Sequence, residues 1–452
     1  MLSFGPFVQI PLLRWPIRPV RRIWPVLSTL LVAGSLALTV LCATSGLPVA
    51  AQENPQSLIR QMTAASGGLP LHSGSETREF YRYRQFAPAW TDERQVSEAV
   101  QVLRSSGSDG LEPAAFRLGA LLAAAKAYSA RKSAEFDVRL TDAMLTYIRE
   151  MSGSRVNPTH LSRFIALPSP MVPAPEVLEG SLAADTLQSL PDKLAPQHPE
   201  YALLKAGLAQ YREKDSKTSR IAQIIANMER WRWLPRQFGD YYVEVNTADA
   251  TLDLVKGGDV VFSTRLVTGK RSTPTPLFET AINGVTVNPF WDVPGDIALG
   301  ELLPKEQRHP GYLEARHIVA GDRPNGALRQ MPGTDNVLGK FLMEMPNSFD
   351  AYLHDTPEKN LFEKSDRHFS HGCMRVENME ALASLLLTDD GDSTDAIQPA
   401  IDEGETQTLP LSHPVPVYVL YWTVVPAANG SLAFHRDIYG WDSAVLAALN
   451  QH

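Results

Sequence analysis

Tyr352-Leu353-His354-Asp355-Thr356-Pro357 and, ten positions on, Arg367-His368-Phe369-Ser370-His371-Gly372-Cys373-Met374-Arg375-Val376 hold the densest chemistry in this 452-residue chain. A free thiol titrates near ~8.5 and is mostly protonated at neutral pH. An imidazole beside it takes the proton and, once charged, stabilises the thiolate. His371 lies two positions before Cys373 and His354 nineteen before it. Gly372 permits a tight turn, which would aim the amides of Gly372 and Cys373 at a developing oxyanion, each worth roughly 3–4 kcal/mol when well placed. Three readings stand: histidines that satisfy buried backbone groups, a metal site drawn from His354, His368, His371 and Cys373, and a Cys–His nucleophile pair. No second cysteine and no acidic His-x-x-x-His arrangement supports the metal. Three histidines within twenty residues of one thiol weaken the purely structural reading.

The N-terminus sharpens the case for the cysteine. Residues 1–22 carry Arg14, Arg18, Arg21 and Arg22 and no acid, an apolar run extends from Ile23 to Ala43, and Val49-Ala50-Ala51 is a small-residue cleavage pattern. This is the order of an export signal, expected over residues 1–51. The apolar run matches the ~20 residues that span a bilayer, so an uncleaved anchor is the alternative. Both readings place the bulk of the protein in the periplasm, touching the inner membrane only through that segment. Of the two cysteines, Cys42 lies inside it. Cys373 is then the one thiol left in an oxidising compartment, where an unpaired thiol is a liability unless it has a use. The alternative is an inert buried thiol.

Composition sets outer limits. The chain is 44% hydrophobic and 20% charged, which is globular rather than disordered. Its net charge is −8, and without residues 1–51 it has 38 basic against 50 acidic residues. That balance gives no nucleic-acid-binding surface and argues against tight binding to anionic lipid.

The pattern outside the motif divides the chain. Residues 52–75, rich in Gln, Ser, Gly and Pro, read as a linker. Residues 76–235 read as helical, with Gln95–Arg104, Leu118–Tyr128, Leu140–Met151, Tyr201–Arg212 and Ser219–Trp233 at helical spacing. The Pro-rich 167–178 is expected to hold no regular element. From Tyr241 the texture changes to short β-branched runs, with Lys256-Gly257-Gly258-Asp259 as a hairpin turn. The fold class expected is α+β, with a strand-rich domain over 236–426, an inserted region at about 286–350, and a helical extension over 427–452.

The spacing of His354, fifteen intervening residues, and Ser370-His371-Gly372-Cys373-Met374-Arg375 resembles the signature of the L,D-transpeptidase (YkuD-type) catalytic domain. Thr273-Pro274-Thr275-Pro276 is similar to that family's Pro-rich stretch. Asn288-Pro289-Phe290-Trp291-Asp292-Val293-Pro294, Asn336-Val337-Leu338-Gly339-Lys340 and Met228-Glu229-Arg230-Trp231-Arg232-Trp233-Leu234-Pro235 resemble its large, YcbB-like branch. Asp109-Gly110-Leu111-Glu112-Pro113 and Gly153-Ser154-Arg155-Val156-Asn157-Pro158 resemble pieces of that branch's helical scaffold. One departure stands out. The branch usually carries a peptidoglycan-binding module between the Leu-x-x-Tyr helix and the Glu-Arg-Trp segment, yet Tyr211 and Glu229 are eighteen positions apart, which leaves no room for it.

The resemblance implies a helical scaffold domain followed by a mostly-β catalytic domain whose insertion caps the site. It makes Cys373 the nucleophile and His354 the general base, with His371 and the backbone at Gly372 binding the carbonyl. Tyr352, Arg375, Ser370 and Trp291 become substrate-binding candidates. Arg375 reads equally as a loop-bracing salt bridge, Ser370 as a residue that orients the loop, and Trp291 as core. The implied chemistry is a thioester on the third residue of a peptidoglycan tetrapeptide stem, resolved by an amine of a second stem. No cofactor or metal is called for. Water, a protein lysine or a free D-amino acid are alternative acceptors, and a non-catalytic wall-binding scaffold is the rival class. Expected partners are stem peptides and cell-wall synthesis proteins.

Overall fold

A computed structural model describes residues 54–450 except 126–129, 154, 169–170, 216–217, 322–326, 392–396 and 428. The segment expected to direct export, with Cys42, and Ser154 of the scaffold motif lie outside the described residues.

The first half is helical: α1 (Pro55–Met62), α2 (Gly74–Tyr83), α3 (Glu93–Ser105), α4 (Leu118–Ala125), α5 (Ala130–Met151), α6 (Pro158–Leu161), α7 (Ala174–Ala183), α8 (Leu190–Leu194), α9 (Pro199–Lys214) and α10 (Ser219–Arg232). α5 is the axis, with Val138, Leu145, Ile148 and Met151 among its fully buried side chains. Its carboxylates pin the irregular segments around it. Asp137 accepts the amides of Ala89 and Trp90 and the Tyr81 hydroxyl, and Asp142 accepts the amides of His72 and Ser73.

Two expectations fail here. The described part of the expected 52–75 linker, residues 54–75, is not a linker: α1 is capped by Asn54 and buries Leu58, Ile59 and Met62 against α5. Residues 167–178 are not without regular structure, because α7 starts at Ala174. Its Pro175 sits in the first turn, where the missing N–H costs no hydrogen bond.

The second half is built on a nine-stranded sheet of order β10-β3-β11-β9-β8-β4-β12-β1-β2. The strands are β1 (Tyr241–Asn246), β2 (Thr251–Lys256), β3 (Asp259–Gly269), β4 (Phe278–Val287), β8 (Phe341–Glu344), β9 (Leu353–His354), β10 (His368–Ser370), β11 (Met374–Val376) and β12 (Gln407–Leu420). β2 also pairs with β3, so eight of the nine strands close into a ring around one core. The β2–β3 hairpin turns on Gly257 and Gly258 with φ of 62° and 89°, the left-handed region its Gly-Gly sequence announces. Helices α13 (Met379–Asp389) and α14 (Ile397–Glu403) bury Leu382, Leu386 and Ile397 in the same core.

The insertion runs from 288 to 340, narrower than the 286–350 expected, because β4 and β8 on either side belong to the main sheet. It holds β5 (Trp291–Asp292), α11 (Gly295–Ile297), a π-helical turn at Ala298–Leu302, α12 (Leu303–Arg308), β6 (Ile318–Ala320) and β7 (Leu328–Gln330). The three strands form a separate small sheet over a core of Val293, Ala298, Leu302 and Ile318.

The chain's end holds the expected helix, packed back onto the rest of the molecule. β13 (Val424–Pro426) pairs with β14 (Leu432–Phe434), and α15 (Trp441–Leu449) buries Trp441, Val445 and Leu449 at the junction of the two halves. That junction is dense. Trp231 of α10 stacks on Trp422 at 4.4 Å, and Arg230 pairs with Asp442 at 2.6 Å. Asn227 accepts the Thr423 amide at 3.0 Å. Arg232, 1% exposed, pairs with Glu229 and donates to Tyr201 and to the Asp109 carbonyl. Gly153, at φ 90°, lies so close to the Arg232 carbonyl that a Cβ would fall 2.2 Å from it. The scattered motifs at 109–113, 153–158 and 228–235 therefore meet at one place.

Candidate active site

β9 and β11 are neighbours and run parallel, with His354 opposite Arg375 and Leu353 opposite Met374. Side chains alternate across a strand. Leu353, Met374 and Val376 are fully buried in the core. The other face takes His354 and Arg375 and, one residue before each pairing begins, Tyr352 and Cys373. Two short strands thus bring four sequence-selected residues to one face.

His354 is 4% exposed. Its Nδ1 lies 2.5 Å from the Asp355 carbonyl oxygen, which has only lone pairs to offer. Nδ1 therefore carries the proton and donates it, and Nε2 keeps its lone pair. Burial, and then the Arg375 guanidinium, depress the imidazole to about 4. Cys373 is half-buried, and its thiol donates to the Asp350 carbonyl at 3.7 Å, not to the imidazole. Burial pushes the thiol up, against the Tyr352 backbone and Arg375, which pull it down. Burial thus favours the neutral form of each group.

The loop before Cys373 is braced from within. Ser370, 3% exposed, donates to the Cys373 carbonyl at 2.6 Å and accepts the Gly372 amide at 3.1 Å. Ser370 thus orients the loop and is too enclosed for the substrate contact first assigned to it. The same bond takes up the Gly372 amide, so of the two expected oxyanion donors the Cys373 amide is the remaining candidate. Gly372 has φ 127°, open to glycine and strained for other residues. Behind it the Pro-rich motif folds over Gly269, whose amide donates to Thr275 Oγ1 at 2.8 Å, and Thr273 Oγ1 donates to the Ser370 carbonyl at 3.2 Å.

His371 departs from its expected place. Its Nε2 lies 2.7 Å from Glu301 Oε1, on the π-helical turn of the insertion, and 3.2 Å from Lys270 Nζ. It joins the insertion to the Cys373 loop, in place of the carbonyl-binding role expected of it. Arg375 pairs with Glu358 and braces the loop, while its charge reaches both His354 and Cys373. Tyr352 donates to Asp350 Oδ1 at 3.3 Å beside the thiol. Trp291 is half-buried against the insertion's own small core, the core reading rather than the pocket one. His368 faces Asp366 and the Thr247 carbonyl. Among the described residues no group of three or more His, Cys, Asp or Glu side chains converges as a metal site.

Sequence reasoning passed over Asn347, Asp350 and Asp355. Asn347 clamps the turn before β9, accepting the amides of Phe349 and Ala351 and donating to the carbonyls of Met345 and Ala351. That turn places Asp350 at φ 50°, a left-handed conformation uncommon outside glycine, with its carbonyl at the thiol. A lone Asn five residues before the motif at Tyr352 was the available signal.

Parts of the chain are similar to known proteins. The family model described as the L,D-transpeptidase catalytic domain (YkuD) matches residues 240–417, and one described as a scaffold domain matches residues 75–208. A Haemophilus influenzae protein with a provisional L,D-transpeptidase name is 27% identical over 424 residues, covering 88% of this chain and 85% of its own length. The Enterococcus faecium L,D-transpeptidase catalytic domain, acylated by ertapenem, is 16% identical, with 41% of this chain and 99% of that one covered and a TM-score of 0.24. Mycobacterium tuberculosis L,D-transpeptidase 3 is 12% identical, with 40% and 61% covered and a TM-score of 0.22.

Proposed function

Because the chain carries an L,D-transpeptidase catalytic domain of the YkuD family behind a scaffold domain, we propose that it forms 3→3 crosslinks in peptidoglycan with Cys373 as nucleophile and His354 as base. The observation that carries this reading is the pairing of β9 with β11, which brings the half-buried Cys373 to the same face as an imidazole whose Nδ1–H is held by the Asp355 carbonyl. His354 Nε2 takes the thiol proton as Sγ attacks the carbonyl of the third residue of a tetrapeptide stem. The C–N bond to the terminal D-Ala breaks, and the imidazolium returns the proton to the leaving amine. The side-chain amine of a second stem then attacks the thioester, loses its proton to His354, and frees the thiol. This chemistry calls for no metal or organic cofactor.

Export to the periplasm, with or without an inner-membrane anchor, fits the basic and apolar N-terminal sequence and the lone thiol. Stem peptides are the partners this chemistry requires, and cell-wall synthesis proteins are further candidates. The insertion sits against the nucleophile loop through Glu301, where a cap would exclude water and favour an amine acceptor.

The test is incubation with disaccharide-tetrapeptide followed by mass spectrometry. A crosslinked dimer with loss of one D-Ala is expected. Cys373→Ala is expected to give neither the dimer nor a protein adduct, and wild-type turnover in that variant would overturn the proposal. Tripeptide without dimer would point instead to hydrolysis of the same thioester.

A further inference from the structure

His354 serves as a base only while Nε2 carries the lone pair, and this depends on the Asp355 carbonyl that accepts Nδ1–H. That carbonyl belongs to a residue held on every side. The Asp355 amide donates to the Phe341 carbonyl at 2.9 Å. Oδ2 of its side chain accepts the Lys340 amide at 2.9 Å, and Oδ1 accepts the Lys359 ammonium at 2.6 Å. Lys359 also donates to the Glu377 carbonyl, just past β11, at 2.9 Å.

The insertion closes on the same carboxylate. Lys340 is its last residue, and the Lys340 carbonyl accepts the amide of Asn288, its first, at 2.9 Å. Gly339 is at φ 63° and packs so tightly that a Cβ would lie 2.3 Å from Asp355 Oδ2. Asn336, fully buried, donates to the carbonyls of Pro289 and Met331 and accepts the Leu338 amide. Both ends of the insertion are thereby gathered onto Asp355, whose main chain sets the tautomer of the imidazole. The charged groups facing that imidazole are Arg375 across on β11 and Asp355 beside it.

We propose that Asp355 is a positioning residue: its carboxylate, tied to Lys359 and to the exit of the insertion at Lys340, fixes the carbonyl that keeps His354 in its Nδ1–H tautomer, so that the seating of the insertion sets the aim of the base. This rests on the reading of His354 as the base. It assigns a task to the Asn336–Lys340 motif, whose side chains and backbone otherwise stand apart from the reaction.

The experiment compares the full chain with Asp355→Ala, Asp355→Asn and Lys359→Met. The rate of Cys373 acylation by disaccharide-tetrapeptide is read by mass spectrometry, and the His354 tautomer by long-range proton–nitrogen NMR of the imidazoles. Asp355→Ala is expected to lose the Nδ1–H signature and to acylate about 10²-fold more slowly at saturating donor, the scale of a misplaced catalytic group. Its half-saturating donor concentration should not change. Asp355→Asn, which still offers an oxygen to the Lys340 amide, should recover most of the rate, and Lys359→Met should fall between. An intact tautomer signature in Asp355→Ala, or a loss confined to the half-saturating concentration, overturns the proposal. If Asp355→Ala does not fold, equal rates and tautomers in wild type, Asp355→Asn and Lys359→Met overturn it. A wild-type chain that the donor never acylates defeats the transpeptidase reading instead, and the tautomer comparison then decides the positioning role by itself.

Discussion

Burial acts on His354 and Cys373 alike, disfavouring the charged form of each, and so drives their proton affinities apart. The imidazole falls to about 4 and the thiol rises above its usual range. A base must be neutral, so the acid limb of Cys373 acylation should lie near pH 4, with a flat rate from there through neutrality. Alkylation by iodoacetamide follows the thiolate. Its rate should climb with pH through the whole neutral range without a plateau; a plateau below pH 7 would show a resting thiolate–imidazolium pair instead. Cys373 and His354 could be singled out in the sequence through the family resemblance that their spacing carries, and the fold brings them to one face. The place of His371 was not legible there, since its position next to the thiol says nothing of where its ring turns. Asp355 and Asn347 were hidden for another reason: they act through backbone amides and carbonyls, which every residue owns.

At the scale of elements, helices with clear apolar periodicity, such as α3, α9 and α10, appeared in the sequence nearly at their true limits. α1 and α7 did not, because Gln, Ser, Gly and Pro near a short helix mask its few apolar positions. The parallel contact of β9 and β11 was also out of reach. Each strand is two or three residues long, and their pairing depends on a crossover through β10. The π-helical turn of the insertion is fastened to the nucleophile loop by Glu301 and His371, whose side chains are 42% and 35% exposed. A polar contact so open contributes at most about 1 kcal/mol. Glu301→Gln should therefore leave the melting temperature nearly unchanged while raising deuterium exchange over residues 298–302. Unaltered exchange there would show that His371 does not hold the turn.

For the whole molecule, the junction between the halves carries its own pH dependence. Glu200 on α9 and Glu244 on β1 are both pushed up, by burial first and then by mutual repulsion for Glu244; for Glu200 the second cause is Asp253. Glu244 accepts the Trp422 indole N–H at 2.8 Å. A carboxyl raised in the folded state favours folding in its protonated form, so this contribution is full below the unfolded value of about 4.3 and is lost as pH rises through the folded value. Glu244→Gln should raise the melting temperature at mildly alkaline pH and leave it nearly unchanged near pH 4. The α+β division was legible from the change of texture at Tyr241, but the closure of the sheet and the docking of α15 were not, since both join residues more than a hundred positions apart.

The stacked Trp231 and Trp422, with Arg230 on Asp442, bear on how such a chain can be recombined. A breakpoint just before Tyr241 looks natural on paper, yet it would strip α10 from the catalytic half and bare the aromatic face of Tyr418 and Trp422 to water. Inheritance of the catalytic half should therefore carry α10 with it. The tolerant seam lies earlier, between the end of α9 at Lys214 and the start of α10 at Ser219, where a module can be gained or lost without parting the stacked rings.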